Sequence, residues 1–240
     1  MSGRPSAPGL VVFDLGSTLV RPSPGGPAQR ISDALGLADN ERTWLNWQLM
    51  TRPFEHPAEV SALIESEFGV TGAADVVDEV WRAQEKEAEP ADGALSLVER
   101  LIDASVGLAL MSNIWRPYRD SVWRWFGPLF DEHVPADLRW LSFEQGTMKP
   151  SLEGLRGLLA AARCDPRQAV MVGDSYRTDL APAMQLGMRT VWVLSQPQRE
   201  ADALVGVLDG ALDRPDISCK SMDAAADQLL ALLHDGLSRG

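Results

Sequence analysis

Hydrophobic residues along this chain fall into four short continuous runs and several longer stretches with helical spacing. The runs are Leu10-Val11-Val12-Phe13, Leu108-Ala109-Leu110-Met111, Ala169-Val170-Met171-Val172 and Thr190-Val191-Trp192-Val193-Leu194. They show no alternation of apolar and polar positions, so they predict strands covered on both faces, as in a parallel sheet. Each closes on a polar group or beside one: Asp14, Ser112-Asn113, Gly173-Asp174 and Ser195. Between the runs, Leu95, Val98, Leu101 and Ile102 recur at helical spacing, as do Leu152, Leu155, Leu158 and Leu159. Thr178 reads as the cap of a helix carrying Leu180 and Met184, with Pro182 in its first turn and Gly187 closing it. Ser221 reads as the opening of a last helix through Leu229, Leu230 and Leu233. Alternating strands and helices predict right-handed βαβ units and a doubly wound parallel α/β sheet. Ligands of such sheets bind beyond the carboxyl ends of the strands, so Asp14, Ser112 and Asp174 are expected to face one crevice.

The stretch after the first strand breaks this alternation. Residues 21–27 (Arg-Pro-Ser-Pro-Gly-Gly-Pro) form turns and read as a hinge. Beyond them, Val60, Leu63, Ile64 and Phe68 mark one amphipathic helix and Val76, Val77, Val80 and Trp81 another. Trp44, Leu45 and Leu49 suggest a shorter third. A helical insertion of this length is too long for an ordinary loop and predicts a small α-helical cap over 21–92. The turn around Pro90–Gly93 returns the chain to a core made of 1–20 and 93–240. There is no internal repeat and no low-complexity tract.

Composition narrows the function. The chain has 240 residues, with 22 Lys+Arg against 34 Asp+Glu and a net charge of −12. That length suits a core with one smaller inserted domain. The acidity argues against a protein that grips nucleic acid across its surface, while leaving room for a local cationic pocket for a small phosphorylated ligand. Two cysteines, Cys164 and Cys219, are too few for a disulfide framework or a thiolate metal site. His56, His133 and His234 lie too far apart in the chain to suggest a zinc site. Met1–Gly9 contains no apolar stretch of signal-peptide length, and no run approaches the roughly 18 apolar residues of a membrane span. The expectation is a soluble, cytoplasmic protein without a membrane or nucleic-acid partner.

Four segments carry a resemblance. They are Phe13-Asp14-Leu15-Gly16-Ser17-Thr18-Leu19, then Met111-Ser112-Asn113, then Lys149-Pro150, then Val172-Gly173-Asp174-Ser175 with Asp179 five residues past Asp174. In this order, at these strand ends, and with a helical insert after the first, they resemble the haloacid dehalogenase-like (HAD) hydrolase superfamily. The resemblance covers Val11 to Val193. It implies a Rossmann-like core, with a helical cap of the type inserted after the first motif, and phosphatase-type chemistry.

The residues themselves fit phosphoryl transfer, which needs charge neutralisation, an in-line nucleophile and an oriented water. Asp14 is a candidate carboxylate nucleophile able to form an aspartyl-phosphate. Mg²⁺ prefers oxygen ligands and few carboxylates, and Asp14, the Gly16 carbonyl and Asp174 supply such a set. Asp179 then stands behind these ligands, holding water or the Lys149 ammonium. Ser112, the Asn113 backbone and Lys149 are candidate phosphate donors. Taken singly, each has a plainer reading: a strand-end turn residue for Asp14, a strand-end hydroxyl for Ser112, helix N-terminal acids for Asp174 and Asp179. Lys149 is more telling, because only three of the 22 basic residues are lysines.

One departure matters. In the phosphatase branch, the position two after the nucleophile is normally a second Asp that acts as acid and base; here it is Gly16. His56 or Glu144 could take that role, and the sequence does not choose between them. The dehalogenase branch also lacks the second Asp, but it works without metal, and Asp174 beside Asp14 would be costly there without a cation. The phosphonate-cleaving branch needs a cap lysine, and the cap offers only Lys86 in an acidic helix. Arg116 and Arg177 read either as substrate contacts or as solvated loop charges, and Trp44, Trp47 and Trp81 as cap packing. The expected function is therefore Mg²⁺-dependent hydrolysis of a small phosphomonoester. The alternatives are a catalytically weak relative that binds a phosphorylated ligand or a partner protein, and a haloacid dehalogenase.

Overall fold

The computed structural model describes residues 9–237. The reading of the N-terminal stretch therefore falls almost wholly outside the described residues, as do both extremes of the expected core and the side chain of His234. Six parallel strands form one sheet: β1 (Leu10–Phe13), β2 (Gly107–Ser112), β3 (Arg139–Leu141), β4 (Ala169–Gly173), β5 (Arg189–Val193) and β6 (Ile217–Cys219). Their order is β3-β2-β1-β4-β5-β6. This is an α/β, Rossmann-like doubly wound sheet, and its order reverses direction between β1 and β4. The crevice that binds ligands in such folds opens at that reversal.

The four strands expected from apolar runs are present within one residue at each end. β3 and β6 were not expected. Each is a three-residue edge strand, too short to show a period, and β6 alternates buried Ile217, exposed Ser218 and buried Cys219. Central strands are covered on both faces, and all four residues of β1 are buried. Register is set by parallel pairing, with Phe13 opposite Leu110 on one side and Val172 on the other. Asp14 therefore emerges one position beyond the last paired residue of β1, between β2 and β4.

Four helices lie between β1 and the return to the sheet: α1 (Pro27–Leu35), α2 (Asp39–Thr51), α3 (Pro57–Phe68) and α4 (Ala73–Glu87). Three match the expected amphipathic stretches. α1 is additional, starting at the last proline of the turn-forming segment and ending at Gly36 in the left-handed conformation, φ 68°. These helices bury their own hydrophobic cluster, including Ile31, Leu45, Leu49, Val60, Ile64, Val77 and Trp81, together with Trp115 from beyond β2. Trp81 and Trp115 meet edge to face at 5.3 Å. Trp47 departs from the packing expectation, as it is 48% exposed. The two connections to the insert run side by side. Val20 bridges Pro90, Arg21 N donates to Glu89 O at 2.8 Å and Ala91 N to Leu19 O at 2.9 Å.

The remaining helices cover the sheet: α5 (Ala94–Asp103), α6 (Arg116–His133), α7 (Ser142–Gln145), α8 (Leu152–Ala162), α9 (Ala181–Gln185), α10 (Ala201–Leu208) and α11 (Met222–Leu237). The helix expected to start at Thr178 begins differently. Tyr176–Leu180 form a single π-helical turn, with Leu180 N reaching back to Ser175 O at 3.4 Å, and α9 follows it. Thr178 lies inside that turn rather than capping it. No helix among the described residues is long and apolar enough to cross a membrane.

Candidate active site

The ends of β1, β2 and β4 meet where the sheet order reverses. Asp14, immediately past β1, is held from three directions. Its Oδ1 accepts from Lys149 Nζ at 2.6 Å and from Ser112 Oγ at 3.0 Å, and its Oδ2 accepts from Thr18 Oγ1 at 3.0 Å. Lys149 also donates to Asp179 Oδ1 at 2.7 Å. Asp14, Ser112, Lys149 and Asp179 are 4%, 1%, 7% and 1% exposed, so this network sits in low dielectric. Carboxylate oxygens of Asp14, Asp174 and Asp179 all come within 4.8 Å of one another. The structure thus brings together five residues singled out in the sequence, drawn from positions 14 to 179.

Local backbone explains the convergence. The π-turn after Ser175 turns Asp179 back towards the strand it follows, and its Oδ2 accepts from Ser175 N at 3.1 Å. Gly173 makes the approach possible, since a Cβ there would stand 2.5 Å from Asp179 Oδ2. Asp174 is held through its backbone, where its carbonyl accepts from Trp192 Nε1 at 2.9 Å, leaving the carboxylate to face the cluster. Asn113 anchors the lysine: its Oδ1 accepts from Lys149 N at 2.7 Å and its Nδ2 donates to Lys149 O at 3.2 Å. Gly16 lies two residues past Asp14, and a Cβ built on it would meet nothing within 4 Å.

Electrostatics point to a missing positive charge. Burial works against the Lys149 ammonium, but the carboxylates of Asp14 and Asp179 outweigh it and hold the lysine charged beyond its usual range. Burial, followed by the charges of Asp14 and Asp179, pushes the Asp174 carboxyl up to about 8. Burial also raises Asp179, with Lys149 opposing. Three carboxylates share one ammonium, so full ionisation leaves two negative charges without an internal partner. A buried cluster of this kind is stabilised by a cation. The oxygen-rich donor set suits a hard divalent ion such as Mg²⁺.

Other sequence candidates lie elsewhere. His56 and Glu144 are exposed, and neither forms a hydrogen bond or ion pair with the cluster. Arg116 spans to the insert, donating to Phe54 O at 3.1 Å and to Glu55 Oε1 at 2.7 Å. Arg177 is an exposed side chain of the π-turn. Two residues of interest gave no sequence signal. Glu200 accepts from Tyr176 N at 2.8 Å and fixes the π-turn beside Asp174. Tyr118, on the first turns of α6, packs against both hydrophobic clusters at the seam between sheet and insert. A solitary Glu or Tyr in a polar segment carries no periodicity that would have marked either one.

Comparisons with known proteins agree with this architecture. The HAD-hydrolase-like family model matches residues 147–225. Haloacid dehalogenase-like hydrolase domain-containing protein 2 of Bos taurus is 35% identical over 79 residues, which is 33% of this chain and 27% of that protein. A ribulose-1,5-bisphosphate 5-phosphatase of Halopiger xanaduensis is 31% identical over 139 residues, which is 57% of this chain and 55% of that protein. The chain thus spans about a quarter and about half of the lengths of these two curated relatives. A HAD family enzyme of Bacteroides thetaiotaomicron, solved with magnesium and inorganic phosphate, superposes with a TM-score of 0.58 at 18% identity, covering 77% of this chain and 93% of that one. The four motifs in order, the family match over the third and fourth of them, and the shared sheet lead to one conclusion: residues 147–225 match the HAD-hydrolase-like family model, and the chain is similar to haloacid dehalogenase-like hydrolases in its motifs and fold.

Proposed function

We propose that the protein is a Mg²⁺-dependent phosphatase acting on a small phosphomonoester, with Asp14 as nucleophile. The observation that carries this reading is the meeting of Asp14, Asp174 and Asp179 around a single ammonium, Lys149. That arrangement is short of positive charge and long on oxygen ligands, which favours a divalent cation and an anionic substrate. Relatives named as a phosphatase and as a magnesium–phosphate complex support the same reading.

Asp14 and Asp174, with the Gly16 carbonyl, would hold the ion, which when bound supplies charge neutralisation to the phosphoryl oxygens. The residues of this chain do the rest. Ser112, Asn113 and Lys149 receive the phosphate, with Lys149 fixed between Asp14 and Asp179. Asp14 is pre-aligned by Thr18 and Ser112, so its attack on phosphorus needs little reorganisation. The four helices α1–α4, over residues 21–92, act as a cap that shields the crevice from bulk water and selects the alcohol portion of the substrate.

A specific feature favours a second reading, a weakly catalytic protein that binds a phosphorylated ligand: the position of the usual acid–base carboxylate is empty space above Gly16. One experiment separates the two. A panel of phosphomonoesters is assayed with Mg²⁺ and with chelator. Metal-dependent phosphate release supports the phosphatase; metal-dependent binding without release supports the binding protein and removes the enzyme.

A further inference from the structure

We propose that Gln196, in the loop after β5, is a positioning residue for the divalent cation, acting on the Gly16 carbonyl through Ser17. This deepens the reading above and rests on its metal ligands, Asp14, Asp174 and the Gly16 carbonyl. The contact is direct. Gln196 Nε2 donates to Ser17 Oγ at 2.9 Å, across 179 positions of chain. Ser17 follows Gly16, and the Gly16 carbonyl belongs to the peptide that joins the two. Both partners of the bond are half-buried, so water competes for it only in part.

The turn after β1 needs a hold from outside. Ser17 lies at φ 58°, in the left-handed region that L residues avoid. Gly16 has no side chain to restrain its own torsions, and a Cβ there would touch nothing. Inside the turn one carbonyl takes most of the donors: Leu15 O accepts from Thr18 N, Leu19 N and Val20 N at 3.3, 3.0 and 3.1 Å. No backbone hydrogen bond of this turn ends on the Gly16 carbonyl, which is left available to a ligand. Relaxation of Ser17 towards the negative φ that L residues favour rotates the Gly16–Ser17 peptide and moves that carbonyl. Gln196 resists the relaxation by holding the Ser17 side chain.

The segment that carries Gln196 is itself fixed, and it also grips the other metal-bearing loop. Leu194 N donates to Cys219 O at 2.8 Å, and Gln196 O accepts from Arg199 N at 3.0 Å. Trp192 Nε1 donates to Asp174 O at 2.9 Å, and Glu200 accepts from Tyr176 N at 2.8 Å. β5 and its loop therefore hold the Asp14 loop through one side chain and the Asp174 loop through two. Losing the Gln196 bond frees one of these loops while the other stays in place. Partners that hold a metal ligand in position typically set metal affinity by 10–100-fold.

Magnesium binding tests the assignment without turnover. Mg²⁺ is titrated by calorimetry into wild type, Gln196→Met, Ser17→Ala and the double variant, and the thermal melt of each is recorded in chelator. The proposal expects Kd to rise at least ~10-fold in each single variant. It expects little further rise in the double variant, because both substitutions remove the same bond. The melts in chelator are expected to stay close to that of wild type, which separates positioning from support of the fold. An unchanged Kd in Gln196→Met, or losses that multiply in the double variant, overturns the role of Gln196 and leaves the phosphatase reading intact. Should Gln196→Met fail to fold, Ser17→Ala removes the same bond and decides in its place. A wild type that binds no Mg²⁺ overturns both readings, whereas one that binds Mg²⁺ and hydrolyses no phosphomonoester overturns the phosphatase alone.

Discussion

Lys149 compensates two buried carboxylates at once, and no other ammonium or guanidinium among the described residues touches them. Replacing it by Met strands those carboxylates, and the cost is expected at about 3–5 kcal/mol, read by urea denaturation in chelator. Lys149→Arg should not restore activity, because a planar fork cannot occupy the point between Asp14 and Asp179 that one nitrogen fills. Asp14→Asn should lower turnover at least ~10³-fold while the thermal melt stays at or above the wild-type temperature, since it removes one of three crowded charges. Two glycines give opposite expectations. Gly173→Ala drives a methyl group into Asp179 and should cost about 1–3 kcal/mol together with most of the activity. Gly16→Asp enters open space, so the protein should fold normally, and by restoring a carboxylate at this position it should raise turnover of glycerol phosphate at least ~tenfold. At this scale the sequence was informative where chemistry coincided with a strand end, as at Asp14, Ser112 and Asp174. It was silent on Tyr118, whose packing against both clusters depends on which face of α6 meets the insert.

The central strands were legible because four or five apolar residues in a row have few other uses in a chain of this composition. Edge strands of three residues have no such signature, and β3 and β6 form because β2 and β5 offer them a template. The turn-forming run before α1 hid a helix start, since proline is as welcome at the first helical position as in a loop. The π-turn was equally hidden: Thr178 has the chemistry of a cap, yet Asp179 is drawn inward to Lys149 and the extra residue is absorbed there. The two connections to the insert are stapled by the Arg30–Glu87 pair, with Ser23 and Gln84 also bonded to Glu87. Burial raises the Glu87 carboxyl, but these hydrogen bonds outweigh it and hold it below its ordinary value of 4.5. A depressed carboxyl stabilises the fold above the unfolded-state value and loses that contribution as pH falls through the folded one. Glu87→Gln should therefore cost about 1–3 kcal/mol at neutral pH, and the gap from wild type should narrow below pH ~4.5 in paired denaturant melts.

The whole molecule places its chemistry by topology. β1 and β4 are neighbours in the sheet although 155 residues lie between the end of β1 and the start of β4, and the reversal of strand order between them opens the crevice that Asp14 and Asp174 flank. A single chain reading can locate that point once strands alternate with helices, because the connections of a doubly wound sheet are handed. It cannot say how the four-helix insert packs on the rest of the chain, which depends on contacts such as Trp81 with Trp115 and Arg116 with Glu55. Phosphorylation of Asp14 in turnover is the step on which the proposed function depends. The direct measurement is to quench the protein with acid during hydrolysis of a phosphomonoester in Mg²⁺, reduce it with borohydride and sequence its peptides by mass spectrometry. Conversion of residue 14 to homoserine is the predicted result. Phosphate release with residue 14 still recovered as unmodified aspartate would contradict it.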